Sequence, residues 1–178
     1  MKSGTTARCR RASGFTLLEL IVGTAVLAIL LQIAIPAMSS LLASWQRDAA
    51  TRTVTNHLVL ARSEAIRWSR RVVMCSSEDG IQCAPSSHKE WTAGWLVFQD
   101  LDGNNLFSSS DKLIAVSQSV SGIQRITGNA SAQRFVFLPT GMMSSTMATL
   151  EVVPRTGKTQ KITVNRVGRV RLSFAEPA

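Results

Sequence analysis

The chain has 178 residues, enough for one domain with an appended element. Charged residues make up 17% and hydrophobic residues 45%, which excludes a disordered or collagen-like chain. The formal net charge of +9 points toward a nucleic acid or a membrane surface, and its placement is uneven. Residues 1–14 carry +4, residues 15–43 carry −1, residues 44–71 carry +4, residues 72–122 carry −4 and residues 123–178 carry +6.

Residues 1–14 form a short basic leader with Lys2, Arg8, Arg10 and Arg11 and no acid. From Phe15 to Ala43 the chain is almost wholly apolar, long enough to span a bilayer. The bases before this run predict an N-terminus in the cytoplasm. A secretory signal peptide would have a shorter apolar core and a small-residue cleavage site behind it. A plain single-span anchor leaves Glu19 unexplained, because a carboxylate within the span costs about 2.5–3.5 kcal/mol on insertion scales. Gly14-Phe15-Thr16-Leu17-Leu18-Glu19 resembles the class III signal of type IV prepilins: basic leader, Gly at the cut, Phe as the new first residue, Glu as the fifth. The resemblance implies cleavage after Gly14 by a prepilin peptidase and methylation of the Phe15 amine. It also implies that Glu19 neutralises the amine of a neighbouring subunit during filament assembly. A buried acid is tolerable when paired, and such a pair sets register between packed helices.

Leu, Ala and Ile continue to Ile35, and Pro36 then predicts a kink or a locally melted turn. Beyond it Leu41, Leu42, Trp45, Val54, Leu58, Ala61, Ala65 and Trp68 keep an approximately helical apolar stripe, with Arg47, Arg52, Arg62, Arg67 and Arg70 mostly between them. One helix from about Thr16 to Ser69 is expected. Its half over residues 15–43 is the transmembrane and filament-core part, and residues 44–71 are the amphipathic part against a head formed by residues 72–178.

The head reads as short β runs split by Gly, Ser, Asn and Pro: Val72–Cys75, Trp95–Phe98, Leu113–Val116, Gln124–Ile126, Phe135–Leu138, Leu150–Val153, Lys161–Val164 and Val170–Phe174. No crossover helices are visible, so antiparallel sheets are predicted. Gly94-Trp95-Leu96-Val97-Phe98-Gln99-Asp100 with Asp102-Gly103-Asn104, and Phe135-Val136-Phe137-Leu138-Pro139-Thr140-Gly141, resemble the two head blocks of the GspH/FimT family of minor pilins and pseudopilins. The fold implied is α+β and type IV pilin-like, with a long N-terminal helix packed on an antiparallel sheet or sandwich.

Cys9 lies in the leader, while Cys75 and Cys83 bracket a Ser-Ser-Glu-Asp-Gly turn. The odd count becomes even once the leader is removed. A Cys75–Cys83 disulfide is expected, which requires an oxidising compartment; two free thiols are the alternative. Asp100-x-Asp102-Gly103-Asn104, with Asp111 at the twelfth place, has the look of a calcium loop, but Gly stands fourth where the pattern needs it sixth. A hairpin turn built on Asx hydrogen bonds is the plainer expectation, so no metal is assigned. His57 and His88 have no companions, no nucleophile triad or phosphate loop is present, and neither an enzyme nor a cofactor is expected.

The strongest site signal is C-terminal. Lys158, Lys161 and Arg166 lead into Gly168-Arg169-Val170-Arg171, and alternation along a strand puts Arg169 and Arg171 on one face. The run resembles the G-R-x-R tail of FimT-type minor pilins that bind DNA for uptake. The resemblance implies non-specific contact with the phosphate backbone by Arg166, Arg169, Arg171, Lys161 and Lys158, with Gly168 allowing close backbone approach. The plainer alternative is a solvated basic edge strand. Two functions follow: a DNA-contacting minor pilin of a type IV pilus, or a structural pseudopilin of a type II secretion system. Both would reside first in the bacterial inner membrane beside other pilins and then in a filament.

Overall fold

A computed structural model describes residues 16–85 and 87–175, without the side chains of residues 36 and 37. Helix α1 covers Leu17–Trp68. Thr16 caps it, its Oγ1 accepting the Glu19 amide at 3.2 Å, so Thr16-x-x-Glu19 has the spacing of a capping box. The helical assignment runs through Pro36, so the expected melted turn is not seen. At the far end Ser69 is left-handed (φ 49°), and the amides of Ser69 and Arg70 donate to the carbonyls of Ile66 and Ala65. That is a Schellman end, with Ser where Gly is usual.

The chain divides into two compact units, Met1–Ser39 and Ser40–Ala178. In the first, every described side chain of the helix is exposed, including Leu17, Leu20, Ile21, Leu27 and Ile33. A helix apolar all round belongs in lipid or among other helices, and this one is long and apolar enough to cross a membrane.

In the second unit α1 buries Ala43, Arg47, Ala50, Val54, Leu58, Ala61 and Ala65, at steps of three or four, with Thr51 beside them. Leu41, Leu42, Trp45 and Trp68, expected on this stripe, are exposed instead. The residues that bury are mostly alanines, so the helix axis can lie close to the bulky Trp91, Trp95, Phe135 and Phe137 of the same core.

Eight strands follow: β1 Val72–Ser76, β2 Gly94–Gln99, β3 Lys112–Gln118, β4 Ile123–Gly128, β5 Arg134–Phe137, β6 Met147–Pro154, β7 Gln160–Asn165 and β8 Val170–Phe174. They form two antiparallel four-stranded sheets, ordered β3-β2-β1-β5 and β4-β6-β7-β8. One face of each sheet joins the helix in a single core. In the first sheet the other face is also covered: Val73, Cys75, Leu96, Phe98 and Val136 pack with Cys83 and Phe107 from two loops. This double covering explains why β1 and β2 read as continuous apolar runs rather than alternating ones. In β6 and β7 one face is buried and the other half-exposed, and the alternation is plain.

Gly94 opens β2 at φ 135°, and a Cβ there would lie 2.3 Å from the Ser117 carbonyl oxygen. The Gly of the Gly-Trp block is therefore required by strand approach.

Candidate functional site

The basic tail folds as the hairpin β7–β8. The Gly168 amide donates to the Asn165 carbonyl at 2.8 Å, closing a turn with Arg166 and Val167 at its tip. Gly168 then takes φ 73°, the left-handed position that follows such a turn in a three-residue hairpin loop. Asn165 Oδ1 accepts the Arg169 amide at 2.9 Å. From outside the hairpin, the Met143 amide donates to the Arg166 carbonyl at 2.8 Å. Arg62, from α1, sends Nε to the Gly141 carbonyl and a terminal nitrogen to the Gly168 carbonyl, each at 3.1 Å. The turn is thus held by the helix, by the Leu138–Met143 loop and by its own asparagine.

This clasp gives Gly168 its reason. A Cβ there would sit 2.5 Å from the Gly141 carbonyl oxygen and 2.9 Å from Arg62 Nε. The close approach at Gly168 is made by the protein's own backbone and Arg62.

Arg166, Arg169 and Arg171 are exposed, and none forms an ion pair among the described residues. Arg171 pairs with Thr163, whose hydroxyl meets that of Thr149 on the half-exposed face of the sheet. Val170 packs against the core from the opposite face. The hairpin therefore gathers Arg166, Arg169 and Arg171 at one end of the sheet. Lys161 is the second residue of β7, and its ammonium is paired with Glu151 at 3.1 Å. Lys158 stands at the opposite end, in the β6–β7 connection, separated from Arg166 by the length of β7, about 20 Å for its six residues. The six residues singled out from the sequence thus form one cluster of three guanidiniums around Gly168, with two lysines apart.

Arg47, expected on the exposed side of the helix, is buried. Two of its nitrogens donate to Asp48 Oδ1 at 2.9 and 2.8 Å, a third donates to the Lys158 carbonyl at 3.2 Å, and its guanidinium lies 5.1 Å over the Phe174 ring. It holds the β6–β7 connection and the end of β8 as Arg62 holds the β7–β8 turn. Nothing in sequence spacing marks these two arginines as clasps. The Asn165-Arg166-Val167-Gly168 turn did carry a signal, Asn first and Gly fourth, the preference of a type I turn.

Cys75 and Cys83 are joined in a disulfide, with Cα atoms 5.6 Å apart, pinning the loop after β1 onto the first sheet. His57, expected to stand without a companion, has one: its Nδ1 accepts the indole N–H of the buried Trp95 at 3.1 Å, and burial pushes its pKa below the usual imidazole range. The carboxylates of Asp100, Asp102 and Asp111 converge to within 4.8 Å. Their oxygens accept the amides of Gly103, Asn104, Leu101 and Ser108, as expected of an Asx-bonded turn. Burial raises the Asp100 pKa despite Arg71 at 3.8 Å. Glu19 is exposed in the first turn of α1. Gly14 and Phe15 lie outside the described residues.

Comparison with known proteins agrees with this architecture. Residues 50–168 match the family described as type II transport protein GspH, and residues 9–34 match the prokaryotic N-terminal methylation motif. The chain is similar to the pilin-like protein PilA1 of Thermus thermophilus, 28% identical over 164 residues, covering 89% of this chain and 97% of that one. In fold it is similar to the type IV minor pilin FimU of Pseudomonas aeruginosa, with TM-score 0.56 and 15% identity over 71% of this chain and 87% of that one. It is also similar to EpsH, the minor pseudopilin of the type 2 secretion system of Vibrio cholerae, with TM-score 0.52 and 16% identity over 72% of this chain and 97% of that one. The chain belongs to the GspH family: it is a structural minor pilin or pseudopilin with an N-terminal methylation motif, not an enzyme.

Proposed function

We propose that this subunit is a minor pilin of a type IV pilus that holds extracellular DNA for uptake by its phosphate backbone. The observation that carries the reading is the set of three exposed guanidiniums, Arg166, Arg169 and Arg171, on one rigidly tied hairpin with no acid paired to them among the described residues. Arg169 and Arg171 are two residues apart on an extended chain, about 7 Å, close to the phosphate spacing of one DNA strand. Guanidiniums bind phosphate oxygens bidentately, and tying the hairpin beforehand lowers the entropy lost on binding. No row of exposed aromatic rings accompanies the arginines on β8, so base stacking contributes little and sequence preference is weak.

The leader is cut after Gly14 by a prepilin peptidase, Phe15 is methylated, and Glu19 pairs with a neighbouring amine as subunits leave the inner membrane. The N-terminus faces the cytoplasm beforehand.

The test is an electrophoretic shift of duplex DNA by the full chain in non-ionic detergent at two salt concentrations. Dissociation constants on the order of 10⁻⁴–10⁻⁶ M are expected, weakening as salt rises. The log–log salt slope should fall by about one for each phosphate-contacting arginine removed. Arg169→Ala with Arg171→Ala should abolish binding with the fold intact. Unchanged binding would favour the second reading, a type II secretion pseudopilin with no DNA role. The Lys161–Glu151 pair points the same way, since it removes one of the expected phosphate contacts.

A further inference from the structure

Each sheet has two edges, and three of the four are guarded. The edge of β4 is covered by Lys89–Trp91: Glu90 bridges Thr127, the Trp91 amide donates to the Ile126 carbonyl, and the Gly128 amide donates to Lys89. The edge of β5 is covered by Met142–Ser144 through the Phe137–Met143 bridge and two flanking hydrogen bonds. The edge of β3 is broken by a bulge where it meets β2, which discourages further pairing. Among the described residues the edge of β8 has neither cover nor bulge: its five residues pair with β7 in unbroken register.

The direction of its free backbone groups can be worked out. The Asn165 amide donates to the Arg169 carbonyl, and the Ala175 amide donates to the Thr159 carbonyl. Bonded pairs alternate in an antiparallel ladder, so Thr163–Arg171 and Lys161–Ser173 are the bonded pairs between them. The N–H and C=O groups of Val170, Leu172 and Phe174 therefore point away from β7, along the open edge. Their side chains face the helix side of the sheet. Leu172 and Phe174 are 50% and 53% exposed and border a cleft shared with Arg47, Asp48 and Arg52, while Val170 borders a groove in which Val59 and Ile66 stand beside Arg62 and Ser63. On the other face stand Arg169 and Arg171.

We propose that β8 is a docking edge: it takes up an extended segment of a neighbouring filament subunit as an added strand, apolar on one side and acidic on the other. Three backbone amides and three carbonyls supply the ladder, as in strand addition generally. The apolar side chains of the added strand cover Leu172 and the groove beside Val59 and Ile66. Its acidic side chains lie across from Arg169 and Arg171, which fixes the face and register. A second copy of β8 is a poor occupant, because it would bring its own Arg169 and Arg171 against the same positive row. The proposal uses the backbone edge, the apolar face and the charge of Arg169 and Arg171, so DNA held by those arginines would compete with the acidic strand.

The experiment uses the full chain in non-ionic detergent and a capped eight-residue peptide alternating valine and glutamate. Amide exchange is followed by NMR with and without the peptide. At millimolar peptide, exchange at Val170, Leu172 and Phe174 should slow by about tenfold or more, while Arg171 and Ser173, already bonded to β7, change little. A peptide alternating valine and lysine should bind about tenfold more weakly or worse. Leu172→Pro removes one outward N–H and none of the β7 ladder, so it should lose peptide binding while melting and duplex DNA binding stay near wild type. Should that variant not fold, the valine–glutamate peptide N-methylated at alternate residues blocks the same ladder from the other side. No slowing at the three amides, equal binding by the lysine peptide, or undiminished binding after either block would overturn the proposal.

Discussion

Replacing Arg62 by Met keeps the aliphatic stem against the groove and removes both bonds of the clasp, to Gly141 and Gly168. Hydrogen bonds to a charged donor contribute about 1.5–3 kcal/mol each. The site is half-buried, and water can replace part of what is lost, so the low end applies and the sum is about 2–3 kcal/mol. A domain of this size loses roughly 4 °C in Tm per kcal/mol, giving an expected fall of about 8–12 °C. Thermal unfolding of the full chain in non-ionic detergent, followed by near-ultraviolet circular dichroism, measures it. Arg52→Met is the control: Arg52 is exposed on the same helix, and its change should stay within about 0.5 kcal/mol. Gly168→Ala should fall alongside Arg62→Met, since it adds left-handed strain of about 1–2 kcal/mol and a Cβ 2.5 Å from the Gly141 oxygen. If Arg62→Met melts within about 4 °C of wild type, the clasp does not tie the hairpin and the arginines there are not pre-positioned.

Four other outcomes are expected. Mature protein should begin at Phe15 with one added methyl by intact mass, and Gly14→Ala should abolish processing; normal processing of that variant would refute the prepilin signal. Glu19→Ala should insert in the membrane at least as well as wild type but fail to enter filaments, which co-purification of sheared filaments would show. Loss of the disulfide in Cys75→Ser with Cys83→Ser should cost about 2.5 kcal/mol by the loop-entropy relation, read by denaturant unfolding, and native protein should show no alkylatable thiol at either position. His57 accepts a hydrogen bond only when neutral and its folded pKa is lowered, so the unfolded chain binds the proton first. Stability should therefore fall as pH drops below about 6.5 and level off below the folded pKa, and His57→Gln should remove that dependence.

All eight strands were legible in the sequence, with ends differing by at most three residues, because turn residues and β-branched runs are local signals. The order of strands was not, since β1 pairs with β2 and with β5, some 60 residues on, and only packing decides that. The helix stripe was misjudged at its start for a physical reason. Leu41, Leu42 and Trp45 look like core but are exposed in this unit, while Arg47 looks like surface but is buried. The arginine can be buried because its neighbour Asp48 neutralises it and a carbonyl 111 residues away accepts from it. Partners that remote leave no periodic trace. The three arginines singled out from the sequence stand together on one hairpin, whereas Lys161 was not recognisable as paired, because Glu151 reaches it only through the β6–β7 register.

The alternation of β8 lets one short strand present two unrelated surfaces. Residues 169 and 171 put guanidiniums on the outer face, where phosphate is reached without touching the backbone. Residues 170, 172 and 174 put apolar side chains and free backbone groups on the inner side and edge, where only a polypeptide can satisfy them. The phosphate backbone of DNA has no donors to match three outward carbonyls, and a strand has no need of three arginines unless it is acidic. The two surfaces therefore separate by mutation: arginine removal should abolish DNA binding while only weakening the docked acidic strand, whose backbone ladder remains, and Leu172→Pro should abolish docking and spare DNA binding. One shared dependence remains, on Arg62, because the Gly168 carbonyl it holds begins the strand from which both surfaces project.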